Sequence, residues 1–347
     1  MKKVAAVLLS AVLVVCVFAG CGGGSSGANG QVNVYNWGEC VDLDLLKQFE
    51  KDTGIKVNYN TYESNEQMYS VIRQGGVNYD VVIPSDYMIS RMIEEDLLDP
   101  INFDNIPNFA LVDDSLKNPV YDPDNIYSVP YMWGTVGIIY DPNKVGEVTG
   151  WEALFDEANA GQILMFDNSR DAMGVALMEL GYSLNTTDMD ELNEAFELLQ
   201  KQKPILQGYV MDQIFDKLES GEAAIGPYYA GDYLIMLENN PDLKFCVPEG
   251  GTNVFVDAMC ILKGAQNKEN AEIFINYMTG TDASARNAAV IGYTSPNVEV
   301  RGLLELDEEA MAIMYPSDEM LSKCEAYVNL PKDVLDFYDS MWVSLKS

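Results

Sequence analysis

The sequence contains no histidine among its 347 residues. This absence excludes Ser-His-Asp and Cys-His catalytic groups, and it excludes zinc sites with histidine ligands. Cysteine is also scarce, with six residues and no Cys-x-x-Cys spacing, so the sequence indicates no disulfide framework. The pattern leaves open whether Cys40, Cys246, Cys260 and Cys324 form any disulfide bond.

Cationic side chains are few relative to acidic ones. Lysine and arginine total 21, aspartate and glutamate total 54, and the formal net charge is therefore −33. A nucleic-acid-binding surface needs cationic contacts to phosphate, so this composition disfavours nucleic acid as a partner. The charge is compatible with a cationic small ligand attracted into an acidic cleft, or with an acidic surface that serves solubility alone.

The first 30 residues predict export rather than a folded element. Two lysines precede an apolar run over residues 4–19, which is too short to span a membrane comfortably. The run ends in small residues before Cys21, which is similar to the lipobox of bacterial lipoproteins. This similarity implies a signal peptide over 1–20, a lipid on Cys21 and a flexible glycine-serine tether over 21–30. The alternative is an ordinary secretory peptide cleaved near Ala19.

The first strand of the folded chain is predicted from Gln31 onward, where apolar and polar residues alternate. Trp37 and Glu39 lie just past its end, with Gly38 breaking the strand between them. In open α/β sheets, ligands bind beyond the carboxyl ends of the strands. The sequence therefore predicts that this aromatic residue and this carboxylate begin a ligand site.

Strands and helices then alternate along the chain. Further strands are predicted over 55–59, 79–84, 136–140, 162–166, 223–228, 244–247 and 254–262. Helices are predicted over 43–53, 65–73, 88–95, 170–180, 189–203, 212–219, 268–279 and 283–291, with another from Trp151. Asp42 and Ser64 are predicted helix N-caps, and Gly54 a C-cap. The alternation predicts an α/β fold with a mainly parallel sheet, with crossings between two lobes at 128–140 and near Gly250.

Several motifs together resemble bacterial spermidine/putrescine-binding proteins, the polyamine-specific solute-binding subunits of ABC importers. They are Tyr35-Asn36-Trp37, Thr61-Tyr62-Glu63-Ser64-Asn65-Glu66, Pro84-Ser85, Ser128-Val129-Pro130-Tyr131-Met132-Trp133-Gly134, Glu249-Gly250-Gly251, Ile291-Gly292-Tyr293 and Pro296-Asn297. The resemblance covers essentially the whole chain after the leader. It implies a two-lobed periplasmic-binding-protein-like fold of type II, in which each lobe is a mainly parallel sheet flanked by helices. It also implies a first lobe of 31–135 plus 256–303 and a second of 136–255 plus 304–347, with the ligand in the cleft between them.

A polyamine carries ammonium groups separated by methylene chains. Each ammonium needs carboxylates or other acceptors, whereas the methylenes need apolar walls that aromatic rings supply while also attracting the cations. The resemblance implies the following ligand-binding residues: Trp37, Glu39, Ser85, Tyr87, Asp171, Tyr229, Asp232, Phe255, Asp257, Tyr293 and Glu325. The chain departs from the family pattern at Asn168, where an acid is frequent, at Tyr229 and Phe255, where tryptophan is common, and at Cys40, where tyrosine is frequent.

The length of the ligand stays open at this stage. Asp232 and Phe255 match members of the family that bind putrescine, whereas Asp171 and Glu325 leave room for a further amine and so for spermidine. Asp232 is also placed to cap the helix that follows it.

The resemblance further implies how the protein works and with what. A bound polyamine supplies the positive charge that allows several carboxylates to be buried, so that the lobes close on the ligand and then dock on a membrane permease. We expect a monomer that is not an enzyme, that uses no cofactor and no metal, and that contacts the membrane through the lipid on Cys21.

Three other functions are weighed against this one. The pair Tyr228-Tyr229 is of the kind that ferric-binding proteins of similar architecture use as ligands, although histidine is absent. The many carboxylates are compatible with a glycosidase that uses a pair of carboxylates, but no nucleophile–base signature accompanies them. A sensor or adhesin that reuses a binding-protein fold is the third, because a fold does not determine its use.

Overall fold

The computed structural model describes residues 30–38 and 40–347. The predicted signal peptide, Cys21, most of the tether and Glu39 lie outside the described residues. Within the described part of the chain, no helix combines the length and the apolar character needed to cross a bilayer.

The described strands form one mixed sheet. They are β1 (Gln31–Trp37), β2 (Lys56–Tyr62), β3 (Val81–Val82), β4 (Leu98–Asp99), β5 (Ser128–Tyr140), β6 (Ile163–Phe166), β7 (Leu206–Val210), β8 (Ile225–Tyr229), β9 (Lys244–Cys246) and β10 (Val254–Leu262). The order across the sheet is β2-β1-β3-β10-β5-β8-β6-β7, with β4 paired to β10 and β9 paired to β5.

The helices flank this sheet. They are α1 (Leu43–Thr53), α2 (Asn65–Gln74), α3 (Asp86–Glu94), α4 (Pro142–Val145), α5 (Ser169–Leu180), α6 (Met189–Gln202), α7 (Gln213–Glu219), α8 (Ala230–Met236), α9 (Lys268–Thr279), α10 (Thr281–Ile291), α11 (Glu308–Met314), α12 (Asp318–Leu321) and α13 (Lys332–Lys346). Short 3₁₀ helices lie at Phe103–Asn105, Pro107–Leu111, Asp114–Leu116, Trp151–Leu154, Glu157–Asn159, Lys203–Ile205 and Val300–Leu303.

The long strand β5 joins two groups of parallel strands. Its residues up to Thr135 pair antiparallel with β10, and Val136–Tyr140 pair antiparallel with β8. β1 is parallel to both β2 and β3, and β6 is parallel to both β7 and β8. We call the group around β1 with its helices the first lobe, and the group around β6 with its helices the second lobe. The predicted two-lobed α/β fold with largely parallel sheets is confirmed.

Each lobe has its own hydrophobic core. Val34, Phe49 and Phe274 belong to a cluster of buried residues in the first lobe, and another cluster in the same lobe includes Tyr62 and Met88. In the second lobe a separate cluster contains Phe166, Leu177, Tyr338 and their neighbours. Because each lobe buries apolar surface within itself, the two lobes can change their relative orientation without unpacking either core.

Local sequence signals explain many of the element ends. Asp42 caps α1 by accepting from the Asp44 N–H, and Gly54 ends this helix with a φ of 74°, a left-handed conformation that glycine adopts readily. Ser64 caps α2, as predicted. The helix predicted from Trp151 is instead a short 3₁₀ helix, and β7 was not predicted because its half-buried residues carry little periodic signal.

Candidate ligand-binding site

Asp257 lies on β10 at a break in the pairing with β5. The register shifts between Asp257 and Ala258, and a shift of this kind re-aims the side chain of the strand. Asp257 forms an isolated antiparallel bridge with Ser85, which follows β3, and the Ser85 hydroxyl donates to Asp257 Oδ1 at 2.7 Å. Ser85 is the N-cap residue of α3, but its side chain makes no capping hydrogen bond. Its hydroxyl orients Asp257 instead.

Burial controls the charge of Asp257. The residue is 9% exposed, and this burial raises the pKa of its carboxyl to about 6, although the hydrogen bond from Ser85 opposes the rise. Burial disfavours a charged carboxylate unless a cation or several donors compensate for the lost water. No cationic side chain in the described part of the chain contributes to this pKa.

Asp171 lies in the first turn of α5, on the second lobe. Asn168 is the N-cap of this helix, and its Oδ1 accepts from the Asp171 N–H while its Nδ2 donates to Asp171 Oδ2, each at 2.7 Å. The Tyr229 hydroxyl donates to the same Oδ2 at 3.3 Å. Burial raises the pKa of Asp171, and these hydrogen bonds oppose the rise. Asn168, which departs from the family pattern, therefore both caps the helix and orients the carboxylate.

Three aromatic rings meet where the lobes join. The ring centroids of Tyr229 and Phe255 are 5.1 Å apart, those of Phe255 and Tyr293 are 5.3 Å apart, and those of Tyr229 and Tyr293 are 6.4 Å apart. The Tyr293 hydroxyl donates to Asp232 Oδ2 at 3.1 Å, and burial raises the pKa of Asp232 to about 7. The rings thus form a continuous apolar surface with a carboxylate at its edge.

The expectation that Asp232 caps a helix is wrong. Asp232 is the third residue of α8, and the N-cap position is held by Tyr229 without a side-chain capping bond. The carboxylate of Asp232 instead accepts a hydrogen bond from the hydroxyl of Tyr293, which belongs to the first lobe.

Trp37 and Tyr87 stand on the first lobe. Trp37 packs on Tyr62 with ring centroids 4.8 Å apart, and its Nε1 is buried with no hydrogen-bond partner among the described residues. The Tyr87 hydroxyl donates to Glu66 Oε1 at 2.8 Å. Burial raises the pKa of Tyr87 well above its ordinary value, and the charge of Asp171 from the second lobe adds to the rise. Tyr87 therefore lies within electrostatic reach of Asp171 across the cleft.

Glu325 is not in contact with the other predicted residues. Its Oε2 accepts from the Ser183 hydroxyl at 2.6 Å and from Asn185 Nδ2 at 3.4 Å. It lines a separate surface cavity of about 560 Å³ that also involves Trp151 and Glu179.

Two buried residues beside the candidate site, Asp86 and Tyr327, were not predicted from the sequence. Asp86 is 1% exposed and follows Ser85 directly, so its place after β3 was the available signal. Burial raises its pKa well above the ordinary value, with the charge of Asp257 adding to the rise and Arg170 opposing it. Tyr327 lies two residues beyond Glu325, and its hydroxyl is a hydrogen-bonding partner that lowers the pKa of Asp171. The sequence around Tyr327 contains no pattern that indicates a role for this residue near Asp171.

The electrostatic character of the site follows from these parts. Asp86, Asp171, Asp232 and Asp257 are four carboxyls whose pKa values burial raises. Arg170 opposes the rise at Asp86 and Asp171, whereas no described cationic side chain does so at Asp232 or Asp257. A buried carboxylate without a counter-charge is stabilised by a cation that enters the site. The arrangement can therefore hold a cationic ligand beside the adjoining aromatic rings.

The geometry does not favour a ferric site at the tyrosine pair. The Tyr228 hydroxyl donates to Asp212 Oδ1 at 3.1 Å, whereas that of Tyr229 donates to Asp171, so the two phenols engage different carboxylates. Burial raises the pKa of both phenols, which opposes the deprotonation that metal binding requires. In the described ranges, no group of three or more Cys, Asp or Glu side chains is arranged to hold a metal ion.

Comparison with known proteins gives one consistent family. The spermidine/putrescine-binding periplasmic protein of Salmonella typhimurium is 34% identical over 323 residues, which cover 92% of each chain. The solved structure of the spermidine/putrescine ABC transporter substrate-binding protein PotD from Streptococcus pneumoniae is 36% identical. It superimposes with a TM-score of 0.83 over 92% of this chain and 99% of that one.

A second solved structure and a family model agree. The TpPotD lipoprotein of Treponema pallidum is 28% identical with a TM-score of 0.78, and the match covers 91% of this chain and 99% of that chain. The family model described as bacterial extracellular solute-binding protein matches residues 44–310. The chain therefore belongs to the bacterial extracellular solute-binding protein family.

Proposed function

We propose that this chain binds a polyamine of the spermidine/putrescine class in the cleft between its lobes and delivers it to the membrane permease of an ABC importer. The observation that carries the proposal is the set of three carboxyls Asp171, Asp232 and Asp257: the first two accept hydrogen bonds from Tyr229 and Tyr293, and burial raises the pKa values of all three. Ammonium groups would supply the missing positive charge, and only a ligand with separated ammonium groups would serve carboxylates on both lobes.

The aromatic side chains support the same ligand class. Tyr229, Phe255 and Tyr293 form adjoining ring contacts, which suit the methylene segments of a polyamine and also attract its cations. Trp37 is proposed as a further wall and Glu39 as a further acid. Ser85 and Tyr87 are proposed as polar contacts, and Glu325 as a contact in a form of the protein where it turns toward the cleft.

The relatives support a role in import and a place outside the cytoplasm. The Salmonella protein is named as periplasmic, and the Streptococcus protein as the substrate-binding protein of an ABC transporter. The name of the Treponema relative as a lipoprotein supports lipidation at Cys21. Loss of detergent-phase partitioning in Cys21→Ser would agree with this anchor, and unchanged partitioning would contradict it. We infer a monomer that binds rather than converts its ligand.

Transfer is proposed to depend on lobe closure. The lobes comprise 31–135 with 256–303, and 136–255 with 304–347. A ligand that binds the closed form better than the open form shifts the population toward closure, and the closed form would then dock on the permease.

A thermal-shift panel tests the ligand class. The mature chain is heated alone and with putrescine, cadaverine, spermidine, spermine and, as a control of single charge, butylamine. We expect at least one diamine or polyamine to raise the melting temperature in a saturable way, because a ligand that binds only the folded state stabilises it. Equal responses to butylamine and to every polyamine would contradict the proposal.

A further inference from the structure

A short segment of the second lobe, residues 326–329, makes contacts with both lobes. It is held to the second lobe by Arg170 and Asn185. Arg170 Nη2 donates to the Val328 carbonyl at 3.2 Å, Asn185 Nδ2 donates to the Ala326 carbonyl at 2.9 Å, and the Val328 N–H donates to Asn185 Oδ1 at 3.0 Å. We call Ala326–Asn329 the bridging segment.

The bridging segment also contributes a side chain, that of Tyr327, to the surroundings of Asp171. The guanidinium of Arg170 stacks on the Tyr327 ring, 4.5 Å from its centroid, and the Tyr327 hydroxyl donates to the Arg170 carbonyl at 3.3 Å. The same hydroxyl helps to lower the pKa of Asp171. Any contact that fixes this segment therefore also fixes the surroundings of a proposed ligand-binding carboxylate.

The other side of the bridging segment meets helix α3 of the first lobe. Asn329 Nδ2 donates to Glu94 Oε2 at 2.7 Å, and Glu94 is the last residue of α3. At the first residue of the same helix, Asp86 lies close enough to the Tyr327 backbone N–H for this group to oppose the rise in the pKa of Asp86. Glu94 at the end of this helix thus contacts the segment of the opposite lobe, and Asp86 at the start of the helix lies near the same segment.

Asp86 and Arg170 add an electrostatic interaction between the lobes, without a direct ion pair. Asp86 Oδ2 and the Nε and Nη1 atoms of Arg170 are buried and have no hydrogen-bond partner within the described residues. Asp86 Oδ1 accepts the Tyr87 N–H at 2.7 Å. The carboxylate and the guanidinium interact electrostatically across the interface. Arg170 opposes the rise in the pKa of Asp86, so their interaction favours the lobes being together.

We propose that Asp86 and Glu94, at the two ends of α3, form a latch with the bridging segment that holds the closed form together without touching the ligand. Asp86 and Glu94 are then positioning residues, which act through closure and through the surroundings of Asp171. This inference rests on the proposed function, because it assigns the latch to closure over the same cleft.

Variants that remove each end of the latch test it. We expect Glu94→Ala to weaken polyamine binding about threefold, because the pair is exposed, and Asp86→Ala to weaken it about tenfold, because that carboxylate is buried. Both losses should arise from faster ligand dissociation, measured by stopped-flow displacement. The melting temperature of unliganded Glu94→Ala should stay within about 1 °C of the wild type, because the contact joins lobes rather than stabilising either core. Asp336→Asn, whose carboxylate pairs with Lys332 within α13, is the charge control.

The result that would overturn the latch is a dissociation rate for Asp86→Ala and Glu94→Ala equal to that of the wild type. Tighter binding by Asp86→Asn would overturn it as well. If the wild type bound no polyamine, the proposed function would fail, and the latch would be judged by hydrogen exchange of residues 325–330. Faster exchange in Asp86→Ala than in Asp336→Asn would support the latch, and equal exchange would refute it.

Discussion

Replacing Asp257 by asparagine isolates the charge of one cleft carboxylate. Asparagine keeps nearly the same shape and can still accept the hydrogen bond from Ser85, which is 2.7 Å long in the wild type. The variant should therefore fold normally. What it loses is the negative charge that we propose to hold an ammonium group.

The expected loss of polyamine affinity in Asp257→Asn is the difference between two opposing contributions to the binding free energy. Removing one partner of a buried ion pair costs about 5 kcal/mol at the upper end, because the other charge stays buried and unpaired. Against this, the rise in the pKa of Asp257 from 3.8 to about 6 corresponds to ~3 kcal/mol that the charged carboxylate costs in the unliganded cleft. The variant avoids that cost. The net loss is ~2 kcal/mol, or about thirtyfold in affinity.

The unliganded protein gives a second readout with a definite sign. Because burial raises the pKa of Asp257 to about 6, the buried carboxyl is charged above that pH, and this charge lowers the stability of the unliganded folded protein there. At pH 7.5 we expect the melting temperature of unliganded Asp257→Asn to equal or exceed that of the wild type.

Isothermal titration calorimetry at pH 7.5 is the assay for the affinity of Asp257→Asn. Asp336→Asn removes a carboxylate from the exposed surface of α13 and should bind polyamine as the wild type does. An affinity of Asp257→Asn within about threefold of the wild type, far below the thirtyfold loss expected from a buried pair, would contradict the pairing of Asp257 with an ammonium group.

Three other outcomes are expected. Polyamine affinity should rise between pH 5 and pH 8, because the carboxyls of Asp257 and Asp232, with pKa values near 6 and 7, must lose their protons to pair with ammonium groups; a titration series that is flat or falling would contradict this. Ser85→Ala should weaken binding about tenfold by removing one hydrogen bond to a charged group, and should move the midpoint of that pH profile upward; an unmoved midpoint would contradict the role of the hydroxyl. Gly134→Ala should lower affinity by displacing the Phe255 ring, whose Cζ would lie 2.8 Å from the added Cβ, and ligand titration with unchanged affinity would contradict it.

Local features of the fold could be predicted from the sequence because they depend on neighbours in the chain. The capping of α1 by Asp42 and its end at Gly54 involve residues within one helical turn of the helix ends. The strand before Ser85 and the strand near Trp37 were also predicted, although β1 includes Trp37, which was expected just past its end, and β3 is confined to Val81–Val82 in a region where a longer strand was expected.

The interlobe part of the site could not be predicted in the same way. The hydroxyl of Ser85 meets Asp257 across 172 positions of sequence, and only the family resemblance suggested that the two act together. Asp86 and Tyr327 owe their place to the contact between lobes, which no periodicity encodes. In the C-terminal region, Glu325 was the predicted ligand-binding residue. The side chain that hydrogen-bonds to Asp171 and lowers its pKa is instead that of Tyr327, two residues further on.

The most direct test of the account is calorimetric titration of the mature chain with spermidine and with putrescine at pH 6.5, in two buffers of different ionisation enthalpy. We expect one-to-one binding with a dissociation constant of about 1 μM or tighter, accompanied by proton release as the carboxyls of Asp232 and Asp257 become charged against the ligand. Absence of saturable heat with both amines, or binding with net proton uptake, would contradict the claim that buried carboxylates hold a polyamine here.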